Sequence, residues 1–158
     1  MGKYMVLDLE TQTHNKYKRK ANPFLKENYI VARGWKIEGQ PRCTAVFYDS
    51  HDDVKPLDIP DDVDVIVAHN AKFELLYEMR FSTESLHNFF KRGGRIWCTQ
   101  YAEYLLNAQQ QKYHMAPLDE VAVTYGGRVK IDGVKLLWEQ GVQTSDIDQD
   151  LLEDSRRR

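Results

Sequence analysis

The chain has 158 residues, of which 42% are hydrophobic and 29% charged, and its net charge at pH 7 is −2. This length predicts one domain with a sizeable core, and the composition excludes a disordered, collagen-like or membrane-spanning chain. A near-neutral charge excludes neither nucleic acids nor small molecules as ligands, because one face can be locally basic. The two cysteines match no disulfide or metal pattern, and the N-terminus lacks the features of a signal peptide, so a cytoplasmic location is expected.

The first part of the chain predicts an antiparallel meander of three strands. Strands are expected over residues 3–9, 29–37 and 42–48, with a turn at EGQP between the last two. Strands so close in sequence pair with their neighbours in most folds. A polar, basic stretch, residues 13–29, separates the first two strands.

The rest of the chain predicts strands that alternate with helices. In chain order, the expected elements are strands over 64–68 and 95–98 and helices over 69–80, 84–91, 99–107, 117–125 and 132–140. Thr99 is expected to cap its helix, and Pro117 to open the next. The three tryptophans are predicted to lie in the core and the two cysteines to be packed thiols. Together the elements predict an α/β domain with a mixed sheet flanked by helices.

The segment VLDLET, residues 6–11, places two carboxylates in an apolar strand. Residues two apart in a strand point to the same face, so Asp8 and Glu10 project together. Two adjacent like charges are unfavourable unless a cation lies between them, and Mg²⁺ and Mn²⁺ prefer oxygen ligands. The alternative is a strand edge at which both groups are solvated.

A second polar group follows the apolar strand VDVIVAH. Asn70 comes at the end of this strand, and Glu74 lies in the first turn of the next helix, where the helix dipole favours a carboxylate. Sites in α/β folds form at the ends of strands, so Glu74 is expected to join Asp8 and Glu10. The alternative is that Asn70 caps the helix and Glu74 is a surface residue. Both interpretations can hold together.

Several segments resemble one family. VLDLET resembles the first motif of the DnaQ-like 3′→5′ exonucleases of the ribonuclease H-like superfamily, and HNAKFELL resembles the second. WCTQYAEYLL and APLDEVAVTYGG resemble helices in the proofreading domain of family A DNA polymerases, particularly those of phages. The resemblance covers nearly all of residues 1–158. It implies a single domain with a ribonuclease H-like mixed sheet, in which a three-strand antiparallel meander is joined by parallel strands.

The resemblance also implies an activity and its metal ligands. The activity is metal-dependent removal of nucleoside monophosphates from DNA 3′ ends during phage replication, in the host cytoplasm. Asp8, Glu10 and Glu74 are then metal ligands of a two-metal Mg²⁺ or Mn²⁺ site as well as catalytic residues. Glu74 stands where the family usually has Asp.

The family's last motif is Tyr-x-x-x-Asp or His-x-Ala-x-x-Asp. HMAPLD, residues 114–119, spells the second form, but it comes too early in the chain and contains Pro117, which interrupts a helix. TSDIDQDLLED resembles the approach to the first form, with Ser155 at the Tyr position and the Asp expected beyond Arg158. The resemblance therefore implies a chain truncated before this motif, with Asp154 as a substitute catalytic residue. The alternative function is a catalytically impaired fold that acts as a nucleic-acid or protein binding module.

Nucleic-acid contacts are expected in two places. The resemblance implies that Asn70, Thr11 and Phe73 contact the substrate strand beside the two motifs. The basic, aromatic segment KYKRKANPF, which includes Tyr17, Lys18 and Arg19, has the composition of a single-strand binding surface, although a solvated loop is the alternative. The expected partners are a single-stranded DNA 3′ end and a DNA polymerase domain or subunit, and no membrane.

Overall fold

A five-stranded mixed sheet organises the fold in the computed structural model, which describes residues 2–12, 21–107, 115–127, 137, 140 and 142–150. The strands are β1 (Lys3–Thr11), β2 (Ile30–Ile37), β3 (Thr44–Phe47), β4 (Val63–Ala68) and β5 (Arg95–Cys98). Their order is β3-β2-β1-β4-β5. The pairs β1–β2 and β2–β3 are antiparallel, whereas β1–β4 and β4–β5 are parallel. This is a ribonuclease H-like topology, and it confirms the predicted fold class.

Helices follow the two parallel strands β4 and β5. They are α1 (Ala71–Phe81), α2 (Thr83–Lys91), α3 (Thr99–Leu106) and α4 (Leu118–Thr124), and short 3₁₀ turns cover His51–Asp53 and Thr144–Asp146. The bounds of α1, α2, α3 and α4 lie within about two residues of the predicted ones. The helix predicted over 132–140 lies largely outside the described residues. None of the helices in the described part of the chain is both long and apolar enough to cross a lipid bilayer.

The main hydrophobic core lies between one face of the sheet and the helices α1 and α2. Met5, Leu7 and Leu9 alternate along β1 and are at most 5% exposed. Their side chains join Tyr77 of α1 and Phe89 of α2 in one cluster. The period of two in β1 therefore sends its apolar side chains to the helical face and leaves Asp8 and Glu10 on the other.

A buried polar network crosses this core. The Arg33 guanidinium on β2 donates from Nε to Glu78 Oε1 at 2.7 Å and from Nη2 to Glu78 Oε2 at 2.9 Å. Its Nη1 donates to the Tyr48 hydroxyl and to the Lys55 carbonyl, each at 2.7 Å. The Ser82 hydroxyl donates to Glu78 Oε2 at 2.6 Å. The network ties β2 to α1, because Glu78 lies on that helix.

Three expectations about individual residues were wrong. Thr99 is the first residue of α3 and does not cap it; the hydroxyl bonds to His69 instead. Trp97 is 56% exposed, because it lies on the edge strand β5 and shares the sheet face of Val6 and Val67, away from α1 and α2. Cys43 is exposed and is not a packed thiol. Trp138 lies outside the described residues.

Candidate active site

Asp8 and Glu10 lie near the carboxyl end of the central strand. Asp8 is exposed, whereas Glu10 is 8% exposed. Their partners on β2 are Gly34 and Ala32, which have almost no side chain. Both carboxylates therefore share a face of the sheet, as predicted, and the small residues beside them leave room above that face.

The next element of the site is the junction between β4 and α1. Asn70 has φ 59° and ψ 48°, a left-handed conformation that few residues other than glycine adopt. Its side chain is exposed and makes no capping hydrogen bond, so the capping role considered for Asn70 is not observed. The Ala71 amide instead donates to Cys98 Sγ at 3.4 Å. The Asn70 amide group is therefore not committed to capping the helix.

Glu74 lies in the first turn of α1 and is 5% exposed. The alternative interpretation of Glu74 as a surface residue is wrong, because the side chain faces inward with Ala71 and Tyr77. Burying a carboxylate is costly without compensating charges or hydrogen bonds. Phe73, the neighbouring residue, is half-buried and packs on the Tyr77 ring with 5.1 Å between centroids.

Tyr77 is a buried phenol that lies between α1 and the end of β1. Burial raises the pKa of its hydroxyl above the usual value of 10.0. The neighbouring Thr11, Arg80 and Asn28 have the opposite, smaller effect on this pKa. Tyr77 therefore stays neutral at physiological pH.

The segment over residues 142–147 is hydrogen-bonded to the carboxyl end of β1, beside Glu10. The Thr144 hydroxyl donates to the Thr11 carbonyl at 3.0 Å, and the Ser145 amide donates to Gln12 Oε1 at 3.2 Å. Gln12 Nε2 also donates to Gln143 Oε1 at 2.5 Å. Sequence reasoning missed this contact, because its partners are separated by more than 130 residues and share no motif.

His69 occupies the end of β4 and holds α3 and the start of α4. Its Nε2 donates to the Ala116 carbonyl at 3.0 Å, and its Nδ1 is hydrogen-bonded to the Thr99 hydroxyl at 2.9 Å. These bonds give His69 a structural role between β4, α3 and the segment before α4. Pro117 precedes α4 as its N-cap, so the last four residues of HMAPLD do not form one continuous helix.

The oxygen ligands at this edge of the sheet are of the type that Mg²⁺ and Mn²⁺ prefer. Within the described ranges, however, no three or more His, Cys, Asp or Glu side chains are grouped closely enough to hold a metal ion. Asp8, Glu10 and Glu74 belong to neighbouring elements but do not form a complete ligand set in this side-chain arrangement. Four other predicted site residues lie outside the described residues, namely Asp154, Tyr17, Lys18 and Arg19.

Comparisons of the chain with protein-family models, with curated proteins and with solved structures find no match. The topology of the sheet and the residues at the end of β1 are therefore the basis for the functional proposal.

Proposed function

We propose that this protein is a metal-dependent 3′→5′ exonuclease that removes nucleoside monophosphates from DNA 3′ ends. One observation carries the proposal. Asp8 and Glu10 share a face near the carboxyl end of the central strand, and Glu74 is buried in the first turn of the helix that follows the adjacent parallel strand. Carboxylates on neighbouring strand ends are suited to binding a cation.

The proposed metal ligands are Asp8, Glu10 and Glu74, together with a carboxylate from the C-terminal segment. Bound by these residues, Mg²⁺ or Mn²⁺ would supply Lewis-acid chemistry for the hydrolysis of a phosphodiester. Asp8, which is exposed, faces the substrate side, whereas the buried Glu10 and Glu74 provide negative charge at a fixed position. Asn70, which is exposed beside them, is proposed to donate from its amide to the DNA backbone.

The position of the C-terminal segment supports a ligand from that part of the chain. Thr144 is bonded to Thr11, the residue after Glu10, so the acidic sequence that follows starts beside the proposed site. Asp150 is the last described residue of this sequence, and Asp154 is the proposed ligand in it. The proposed macromolecular partners are a single-stranded DNA 3′ end and a DNA polymerase domain or subunit.

A gel assay with a 5′-labelled single-stranded oligodeoxynucleotide tests the proposal. The native protein is compared with Asp8→Asn and Glu10→Gln in Mg²⁺, in Mn²⁺ and in EDTA. We expect a ladder that shortens from the 3′ end, depends on the metal, and is weakened by orders of magnitude in both variants. Asp64→Asn is a matched control, because Asp64 is an exposed carboxylate on β4 that bonds only to the Gly2 amide in the described hydrogen bonds.

Two results would contradict the exonuclease. The first is an intact substrate in every lane, which would reject catalysis. Oligonucleotide binding by this uncleaving protein would then favour a binding module. Cleavage that survives both substitutions would mean that the activity belongs to a contaminant or to another site.

A further inference from the structure

Phe24, in the segment before β2, is 76% exposed, which exceeds every other large hydrophobic side chain among the described residues. A single exposed apolar residue is common and indicates nothing by itself. Phe24 is different because the backbone around it is fixed by several hydrogen bonds while its ring remains in solvent.

Arg80, near the end of α1, makes the most extensive of these contacts. Its Nη1 lies 2.7 Å from the Pro23 carbonyl, 2.7 Å from the Leu25 carbonyl and 2.9 Å from the Asn28 carbonyl. Pro23 and Leu25 are the residues on either side of Phe24. One guanidinium therefore holds the backbone on both sides of the exposed ring and attaches it to the helix that carries Glu74.

Two asparagines complete the fixation of this segment. The Phe24 amide donates to Asn22 Oδ1 at 2.9 Å, and Asn28 Nδ2 donates to the Asn22 carbonyl at 2.8 Å. Asn28 is fully buried, with 0% exposure. Because the backbone is already ordered, binding to the ring costs less conformational entropy than binding to a flexible loop.

The segment is also connected to the proposed active site. The Gln12 amide donates to the Tyr29 carbonyl at 2.9 Å, so the chain returns to the end of β1 beside Glu10. Arg80 lies six residues beyond Glu74 on α1, about 9 Å along a helix axis. A stacked DNA strand advances about 3.4 Å per nucleotide. The rise along α1 from Glu74 to Arg80 therefore corresponds to the length of about three stacked nucleotides.

We propose that Phe24 is a stacking platform for one unpaired base of a single-stranded nucleic acid, a few nucleotides from the end held at the proposed site. The inference rests on the proposed function in taking a nucleic-acid strand as the ligand. Base stacking on an aromatic ring requires only one exposed ring face and tolerates any base.

The surroundings of Phe24 favour a nucleic acid over a protein partner. A stable protein interface buries about 800 Å² on each side, with an apolar centre. Phe24 instead stands near Lys26 and Glu27, which are exposed and charged. The residues that precede the segment in the sequence are basic, namely Lys16, Lys18, Arg19 and Lys20. A basic sequence that contains aromatic residues has the composition of a single-strand binding segment.

Fluorescence anisotropy with a labelled single-stranded oligodeoxynucleotide, in EDTA, measures binding without cleavage. We expect Phe24→Ala to raise the Kd about fivefold or more and Phe24→Trp to preserve it. Phe90→Ala is the matched control, because Phe90 is 45% exposed and lies at the far end of α2. Arg80→Lys, if circular dichroism shows it folded, is expected to weaken binding even though Phe24 is present.

A series of oligonucleotides with one abasic site at successive distances from the 3′ end identifies the stacked base. At one position, the native protein is expected to bind as weakly as Phe24→Ala, and the effect of the substitution is expected to disappear. Equal Kd values for the native protein and Phe24→Ala would overturn the inference, as would native protein that binds no oligonucleotide. Binding is measured in EDTA, without cleavage. Failure of the stacking proposal is therefore distinguishable from failure of the nuclease assay.

Discussion

Arg33 and Glu78 form a bidentate ion pair in which both side chains are at most 2% exposed. They belong to β2 and α1 and lie 45 residues apart in the chain. Removing one member of such a pair leaves a buried charge without its counter-charge. The pair therefore adds one specific polar contact to the apolar packing that positions α1 on the sheet.

Glu78→Gln is expected to lower the free energy of unfolding by about 3–5 kcal/mol, because Arg33 stays charged in the core. Urea unfolding followed by circular dichroism measures the change. Asp62→Asn is the control, since it removes the exposed partner of Lys3 and should have little effect. A loss below about 1 kcal/mol for Glu78→Gln would show that the pair is replaceable.

Asn70 allows its backbone role to be separated from its side-chain role. Asn70→Gly keeps the left-handed conformation at no steric cost, whereas Asn70→Ala is expected to lose about 1 kcal/mol of stability. Both variants remove the amide group that is proposed to contact DNA. We therefore expect both to reduce cleavage by a similar factor in the gel assay. Activity that is reduced only in Asn70→Ala would assign the effect to the backbone alone.

Glu74 provides a test of geometry at the proposed metal site. Glu74→Asp shortens the side chain by one methylene and introduces the residue that is usual at this position in the DnaQ-like exonucleases, which the sequence resembles. Glu74→Gln removes the charge and keeps the size of the side chain. We expect Glu74→Asp to raise the cleavage rate, by up to about 10²-fold, because misplacement by about 1 Å has effects of this size. Glu74→Gln is expected to lower it. Single-turnover rates at saturating Mg²⁺ measure both, and a slower Glu74→Asp would show that the longer side chain fits this site.

Alkaline pH is expected to destabilise the fold through three buried tyrosines. Burial raises the pKa of Tyr29, Tyr48 and Tyr77 above 10.0. A folded-state pKa above the unfolded value means that their stabilisation is complete below about pH 10 and is lost as the pH rises through the folded pKa. Tyrosinate absorbance and circular dichroism are recorded together from about pH 8 to 12. The part of the absorbance change that belongs to the three buried tyrosines is expected to coincide with the loss of circular dichroism, whereas exposed tyrosines ionise separately.

Tyr125 is the internal control for this titration, because its pKa is raised chiefly by its hydrogen bond to Glu103 and its side chain is exposed. Its ionisation is expected without loss of secondary structure. If the absorbance change of all tyrosines were complete while circular dichroism remained native, the buried phenols would not limit stability.

The parts of the fold that depend on local spacing were predictable from the sequence. Alternation over residues 3–9 predicted β1 and the shared face of Asp8 and Glu10, because a period of two needs no knowledge of the partner strand. Helical spacing after β4 predicted α1 and placed Glu74 in its first turn. The observed bounds of β1 and α1 differ from the predicted bounds by only a few residues.

The long-range contacts were not predictable in the same way. Arg33 and Glu78 each resemble an ordinary surface charge in sequence, and only the packing of α1 on β2 brings them together. The hydrogen bond between Thr144 and Thr11 joins segments that lie 133 residues apart, and no sequence motif predicts this contact. Trp97 was expected to be buried from its residue type, but exposure depends on which face of an edge strand remains uncovered.

The central position of β1 has a consequence for local motion. β1 is hydrogen-bonded to β2 on one side and β4 on the other, so its amides exchange with solvent only through large openings of the sheet. Asp8 and Glu10 therefore lie on the part of the chain that opens last. The two carboxylates are expected to keep their spacing until the whole domain unfolds, so inactivation by heat and cooperative unfolding should occur at the same temperature.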